Sequence, residues 1–169
     1  MPAPRDHAAR RNALESILRH IPGFHGYLEK QYRRESDELV RRWMADRLQR
    51  SKQAIDGAAR SLADAGQVDV LPQLDRLRAS IDKLIGRIGG AMRGYSGVFD
   101  LVRVREDLLD RVYDHDVIMM DDVDALGQAV EKLPAEAPAL AAMLPEVRGR
   151  IEALEAQWDA REDLLKGLE

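Results

Sequence analysis

The chain has 169 residues, of which 45% are hydrophobic and 33% charged, and its formal net charge is −4 at pH 7. This length fits one domain, residues 1–169, that can bury about two-thirds of its unfolded surface. The absence of Cys excludes disulfides, thiolate nucleophiles and zinc–thiolate sites. No run of 18 apolar residues and no secretory signal is present, so we expect a cytoplasmic protein.

The first predicted element is a short amphipathic helix within residues 1–22, which Pro22 and Gly23 end. Its arginines and aliphatic residues are interspersed: Arg5, Arg10, Arg11, Leu14, Ile17, Leu18, Arg19 and Ile21. A basic amphipathic helix either packs on its own bundle or lies on an anionic membrane surface. We expect packing on the bundle, and a peripheral membrane or envelope-stress factor is the alternative function.

Longer helices follow, because apolar residues recur three and four positions apart. These helices are predicted over residues 27–65, 70–94, 109–133 and 147–168. Residues 134–145 contain three prolines and predict a crossover, with Pro145 at the first position of the last helix. Short connections favour antiparallel neighbours. The predicted fold is therefore all-α, an elongated antiparallel bundle of three to four long amphipathic helices with a short N-terminal helix.

Charge is distributed unevenly along this predicted bundle. Residues 1–60 carry a net charge of +5 and residues 106–169 a net charge of −11, which predicts that the two halves pack on each other. The helix over residues 27–65 carries acid–arginine pairs four positions apart on its predicted exposed face: Asp37–Arg41, Glu38–Arg42, Asp46–Arg50 and Asp56–Arg60. Because these acids interrupt the basic surface, we expect no nucleic-acid binding.

Two charged residues interrupt the apolar seams, Asp116 on the third long helix and Arg161 on the last. One interpretation is that each pairs with an opposite charge on another helix and fixes the register. The other, which we expect for Asp116, is that the buried face shifts toward neighbouring residues and leaves this carboxylate at its margin. Arg161 is otherwise part of a frayed terminal turn.

Two connectors rich in glycine and aromatic residues separate the helices, IPGFHGY at residues 21–27 and RGYSGVFD at residues 93–100. They lie at the same end of the bundle if the second and third helices are antiparallel. Their aromatic side chains either anchor the turns or form a surface for a protein partner. Trp43 widens the apolar face of the second helix, which suits self-association. The candidate partner-binding residues are Phe24, His25, Tyr27, Trp43, Tyr95 and Phe99.

The acidic stretch at residues 114–124 is the candidate for a metal site. Its histidine, His115, has no acidic residue three or four positions away on the same helix face. We therefore expect a solvated acidic face, because a hard cation needs more oxygen ligands than one helix supplies. Motifs of phosphate loops and of serine nucleophiles are absent. The sequence predicts no catalytic residue, metal or cofactor, and no small-molecule substrate is evident; a metal-dependent enzyme using residues 114–124 is the second alternative.

Three stretches carry a resemblance to a known family: residues 21–41, residues 94–100 and residues 108–116, with the pattern IPGFHGY … GYSGVFD … LLDRVYDHD. Together they resemble an uncharacterised family of bacterial helical proteins over residues 21–133. The resemblance implies a cytoplasmic helical protein in which the two connectors are a shared feature, and it implies no activity.

These observations predict a non-enzymatic helical interaction or scaffold protein. It is expected to present the Gly-aromatic connectors and its helix faces to a protein partner or to a second copy of itself.

Overall fold

The computed structural model describes residues 4–27, 30–90 and 106–166. These residues form five α-helices and one 3-10 turn, and they contain no strand. The helices are α1 (Pro4–His20), α2 (Lys30–Asp64), α3 (Leu71–Gly90), α4 (Glu106–Glu131) and α5 (Ala137–Lys166), and the 3-10 turn Val68–Val70 precedes α3. The prediction of an all-α bundle is confirmed. In the described part of the chain, no helix combines the length and the apolarity needed to cross a membrane.

Two antiparallel hairpins, α2–α3 and α4–α5, pack side by side. In this arrangement α2 lies beside α4, α3 lies beside α5, and α1 packs against α4. The consecutive long helices from α2 to α5 are antiparallel as predicted, and the structure adds that the neighbours from different hairpins are parallel. The core is continuous across all five helices.

The helix faces follow the apolar periodicity of the sequence. The buried residues of α3 alternate in steps of three and four: Leu74, Leu77, Ile81, Leu84 and Ile88. Helix α2 ends at Asp64, one residue before the predicted end at residue 65. The following Gly66 adopts a left-handed φ of 72°, and the amide of Gln67 donates to the carbonyl of Leu62. Hydrophobic burial along these stripes is the main stabilising contribution to the bundle.

The predicted crossover over residues 134–145 is wrong in its extent, because α5 begins at Ala137 and continues through Pro145. A proline inside a helix removes one hydrogen bond and costs about 3 kcal/mol. Leu140 and Leu144 are buried, whereas Pro145 itself is exposed. Burying two leucines contributes about 1.5–3 kcal/mol each, which offsets the proline. The side chain of Gln67 accepts a hydrogen bond from the amide of Ala137 at 2.7 Å and caps the new helix start.

The basic and acidic halves pack on each other through ion pairs. Arg47 of α2 donates to Asp124 and to Glu131 of α4, each at 2.7 Å, and Lys83 of α3 lies 3.1 Å from Glu155 of α5. This pairing is the one that the charge distribution predicted. Helix α1 also pairs a basic with an acidic residue, since Arg10 forms an ion pair with Asp110 of α4. The apolar residues Ala13, Ile17 and Ile21 of this first segment are buried, so its apolar face packs on the bundle.

Candidate functional site

The connector between α1 and α2 folds inward rather than outward. Gly23 and Gly26 adopt left-handed φ angles of 87° and 85°, a conformation that side chains with a Cβ disfavour. The resulting turn places Phe24 and Tyr27 in the core, where the Phe24 ring packs edge-on at 5.7 Å from Tyr27 and 6.4 Å from Tyr113. The Tyr113 hydroxyl accepts a hydrogen bond from the Tyr27 amide. A side chain at position 26 would collide with this hydroxyl.

Helix α2 also holds the connector in place. Ser36 Oγ donates to the carbonyl of Gly26 at 2.9 Å, and Arg33 Nε donates to the carbonyl of Tyr27 at 2.5 Å. Buried carbonyl groups need such partners because they have lost water. The connector is therefore fixed from both α2 and α4, and it delivers the Tyr27 hydroxyl to the interior.

Asp116 and Arg161, the two charged residues on the apolar seams, meet inside the bundle. Arg161 Nε donates to Asp116 Oδ1 at 2.7 Å, and Tyr27 Oη donates to Asp116 Oδ2 at 2.5 Å. Both charged side chains are completely buried. The expectation that Asp116 lies at the margin is wrong, and so is the alternative of a frayed turn at Arg161. Helix α4 is flanked by α1, α2 and α5, so Tyr113, Asp116 and Met120 are all buried together.

The network extends to α2 through Asp37. Arg161 Nη2 donates to Asp37 Oδ1 at 2.7 Å, and Arg41 Nε donates to Asp37 Oδ2 at 2.7 Å. The prediction that the Asp37–Arg41 pair is exposed is therefore wrong, whereas the neighbouring pair Glu38–Arg42 is exposed as expected. The buried face of α2 extends to Asp37 and Arg41 because this helix is flanked by α3 and α4 at once.

Trp158 completes this group by lying against both guanidinium groups. The Cζ atoms of Arg41 and Arg161 lie 4.9 Å and 5.4 Å from the centroid of the indole ring. Among the described residues, Arg41 Nη2 and Arg161 Nη1 have no hydrogen-bond partner. Contact with the negative face of the indole compensates partly for that lack. We call the following residues the ionic cluster: Tyr27, Asp37, Arg41, Asp116, Trp158 and Arg161.

Burial and neighbouring charges shift the pKa values of Tyr27, Arg41 and Arg161 in the ionic cluster. Burial, reinforced by the charge of Asp116, raises the pKa of Tyr27 well above its ordinary value. Burial lowers the pKa of Arg161, but the charges of Asp116 and Asp37 outweigh it and the net shift is upward. Burial lowers the pKa of Arg41, and Asp37 offsets this only in part. Two arginines and two aspartates balance in charge, so the arrangement is suited to holding α2, α4 and α5 together.

The six candidate partner-binding residues do not form one surface in the described structure. Phe24 and Tyr27 are buried, so neither side chain is available to a partner. His25 is exposed and stacks on the Tyr32 ring at 4.4 Å, and Trp43 is half-buried with its ring edge-on to His20 at 5.1 Å. Tyr95 and Phe99 lie outside the described residues. The prediction that Phe24 and Tyr27 contact a partner is therefore wrong, whereas partner binding through His25, Trp43, Tyr95 or Phe99 stays a prediction.

The acidic stretch at residues 114–124 contributes to helix pairing. Besides Asp116, Asp122 accepts a hydrogen bond from Gln157 at 2.5 Å, and Asp124 accepts one from Arg47. The bond from Arg47 lowers the pKa of Asp124. The described ranges hold no group of three or more His, Asp or Glu residues arranged to bind a metal ion.

A groove of about 660 Å³ runs along the outer side of the α4–α5 hairpin. We call it the α4–α5 groove, and its lining residues are Leu108, Arg111, Asp114, His115, Ile118, Ala160, Asp163 and Leu164. Ile118 is 55% exposed there, an unusual position for a large aliphatic residue. His115 Nε2 lies 2.6 Å from the carbonyl oxygen of Gln157, and because a carbonyl only accepts, this nitrogen carries the proton. The exposure of Ile118 was not predicted, although this residue falls outside the apolar seam of its helix.

The chain matches no protein-family model, no curated protein and no solved structure. The resemblance to an uncharacterised bacterial helical family therefore stays a prediction, and functional inference depends on the geometry described above.

Proposed function

We propose that the chain is a non-enzymatic helical interaction or scaffold domain of the cytoplasm, and that the α4–α5 groove is its contact surface. The observation that supports this proposal is the exposure of Ile118, a large aliphatic residue, in a groove lined by α4 and α5. A groove between two antiparallel helices suits the apolar face of a further helix. The half-buried Leu108 and Leu164 widen the apolar part of the groove.

The partner that best fits this groove is a second copy of the chain. Arg111 lies in the groove together with Asp114 and Asp163, so the groove carries both signs of charge. In a twofold-symmetric dimer the same patch faces itself, and Arg111 of each copy can approach the acids of the other. A surface of mixed charge around an aliphatic centre is therefore self-complementary.

No observation favours the two alternative functions over this one. Binding of α1 to a membrane surface would require it to release the apolar face that it buries through Ala13, Ile17 and Ile21. A metal-dependent enzyme at residues 114–124 would have to use acids that now pair with Arg161, Gln157 and Arg47.

Sedimentation velocity over a range of concentrations tests the proposal. We expect the wild type to form dimers, and we expect Ile118→Asp to remain monomeric because a charge cannot be buried unpaired at the centre of an interface. The matched control is Val68→Asp, since Val68 is also 55% exposed but precedes α3 at the other end of the bundle. The control should dimerise as the wild type does. A monomeric wild type, or equal dimerisation of Ile118→Asp, would contradict the proposal.

A further inference from the structure

Charged residues face each other across α3 and α5 at an interval of one helical turn. Lys83 lies 3.1 Å from Glu155, and one turn further Arg87 forms an ion pair with Asp159. Because α3 and α5 run parallel, residues seven positions earlier on both helices also face each other. These residues are Arg76, seven before Lys83, and Arg148, seven before Glu155. Two turns before the Lys83–Glu155 pair, two arginines therefore face each other, whereas the two positions further along pair a base with an acid.

The two arginines line a cleft of about 250 Å³ between the helices. We call it the α3–α5 cleft, and its lining residues are Gln73, Arg76, Leu77, Ser80, Leu144 and Arg148. Leu77 and Leu144 are buried and form an apolar floor, whereas both arginines are exposed. The cleft therefore combines two cations at its rim with an apolar base.

Neither arginine forms an ion pair with any residue in the described ranges. Their neighbours two positions along do: Arg78 lies 3.3 Å from Asp56, and Arg150 lies 3.0 Å from Glu146. The absence of pairing at Arg76 and Arg148 is thus specific to the cleft rather than general to these helices. Two like charges across a cleft repel each other, and an anion placed between them would remove this repulsion.

We propose that the α3–α5 cleft binds a small organic anion, a carboxylate or phosphate with a short apolar group. The anionic group lies between Arg76 and Arg148, whose guanidinium groups suit carboxylate and phosphate geometry. The Gln73 amide is a further donor at the rim, while the Ser80 hydroxyl already donates to the carbonyl of Arg76 at 3.1 Å. The apolar group packs on the floor formed by the two leucines.

The size of the cleft restricts the ligand. Pockets for drug-sized ligands usually measure about 300–1,000 Å³, and the volume of about 250 Å³ here is below that range. A single phosphate or carboxylate with one ring or a short chain fits this limit. Phenyl phosphate has both parts and serves as the probe.

Titration of the full-length chain with phenyl phosphate, followed by methyl NMR of Leu77 and Leu144, tests the proposal. We expect saturable shifts of both methyl signals in the wild type. Arg76→Gln and Arg148→Gln should each weaken binding at least about tenfold, because each removes a charge-assisted hydrogen bond. Arg78→Gln and Arg150→Gln are the matched controls and should bind as the wild type does. All four residues are exposed, so the fold is expected to survive each change.

Three outcomes would overturn the proposal: no saturable shift in the wild type at roughly 10 mM probe, equal affinity in Arg76→Gln and Arg148→Gln, or equal affinity for the uncharged analogue benzyl alcohol. The result is independent of self-association, because Ile118 lies on α4 outside the α3–α5 cleft, and Ile118→Asp should leave the affinity for phenyl phosphate unchanged.

Discussion

The ionic cluster and the outer ion pairs of α5 use the same chemical groups in different surroundings. In the ionic cluster, Arg161 and Asp116 are completely buried and their partners lie on three helices. On the outer surface, Arg150 and Glu146 pair within one helix turn and are largely exposed. Water can replace a lost partner at the surface but not in the interior. Burial, more than the presence of an ion pair, therefore decides which charged residues determine the fold.

The same comparison separates structural from ligand-binding arginines. Arg41 and Arg161 are enclosed by aspartates and by Trp158, so they are committed to the bundle. Arg76 and Arg148 are exposed and form no ion pair with the described residues, so they are available to a ligand. The candidates for function are therefore the α4–α5 groove and the α3–α5 cleft rather than the buried charges.

The largest expected effect follows removal of one buried charge. Asp116→Ala removes the carboxylate that binds both the Tyr27 hydroxyl and Arg161, and we expect a loss of about 3–5 kcal/mol in the free energy of unfolding. Glu146→Ala, the exposed control, should cost less than about 1 kcal/mol. Urea unfolding followed by circular dichroism measures both. Equal losses in the two variants would remove the distinction between the regions.

The next effect concerns the turn that brings Tyr27 into the ionic cluster. Gly23→Ala and Gly26→Ala both place a Cβ on a left-handed residue, which costs about 1–2 kcal/mol. Only at position 26 does the new Cβ collide with the Tyr113 hydroxyl, which adds about 1–3 kcal/mol. The thermal unfolding midpoint should therefore fall further for Gly26→Ala than for Gly23→Ala. Equal midpoints would mean that the connector is not held against α4 as described.

The helices and their buried faces could be predicted because burial repeats with the period of the helix. Leu74, Ile81 and Ile88 of α3 lie where the pattern placed them. The same logic failed at Pro145, where the local rule for proline was outweighed by the burial of Leu140 and Leu144, five positions and one position before it. Those two leucines continue the apolar seam of α5, and following the seam backwards would have revealed the earlier helix start.

The ionic cluster could be predicted only in part. Asp116 and Arg161 were recognisable as interruptions of apolar seams, and their opposite signs were a signal that they pair. Which helices become neighbours, and in which register they pack, depends on the whole bundle. The distance between Asp116 and Arg161 could therefore not be derived from the sequence. Asp37 and Arg41 gave no signal, because their four-residue spacing is equally typical of an exposed helix face.

A smaller effect is expected from the phenol of Tyr27 at alkaline pH. Its pKa is raised above the ordinary value of 10.0 in the folded state, so its contribution to stability is complete below pH 10 and is lost as the pH rises further. The slope it adds is at most about 1.4 kcal/mol per pH unit. The stability of Tyr27→Phe should therefore decline less steeply above pH 10 than that of the wild type. Identical slopes for Tyr27→Phe and the wild type would contradict this account.

The smallest effect belongs to the outer surface. Arg148→Glu converts the two facing arginines of the α3–α5 cleft into the acid–base pairing seen between Lys83 and Glu155. We expect a gain of about 0.2–1 kcal/mol at low ionic strength, which added salt reduces. Thermal unfolding at two salt concentrations measures it. A loss of stability at low salt would show that the two arginines do not repel each other.

The most direct test of the claim that a buried ionic cluster fixes α2, α4 and α5 in one register is a double-mutant cycle with Asp116→Leu and Arg161→Met. Each single variant leaves a buried charge that has lost a partner, whereas the double variant leaves Asp37 paired with Arg41. We predict a coupling free energy above about 2 kcal/mol, and a double variant at least as stable as Arg161→Met alone. Losses that add within about 0.5 kcal/mol would contradict the account.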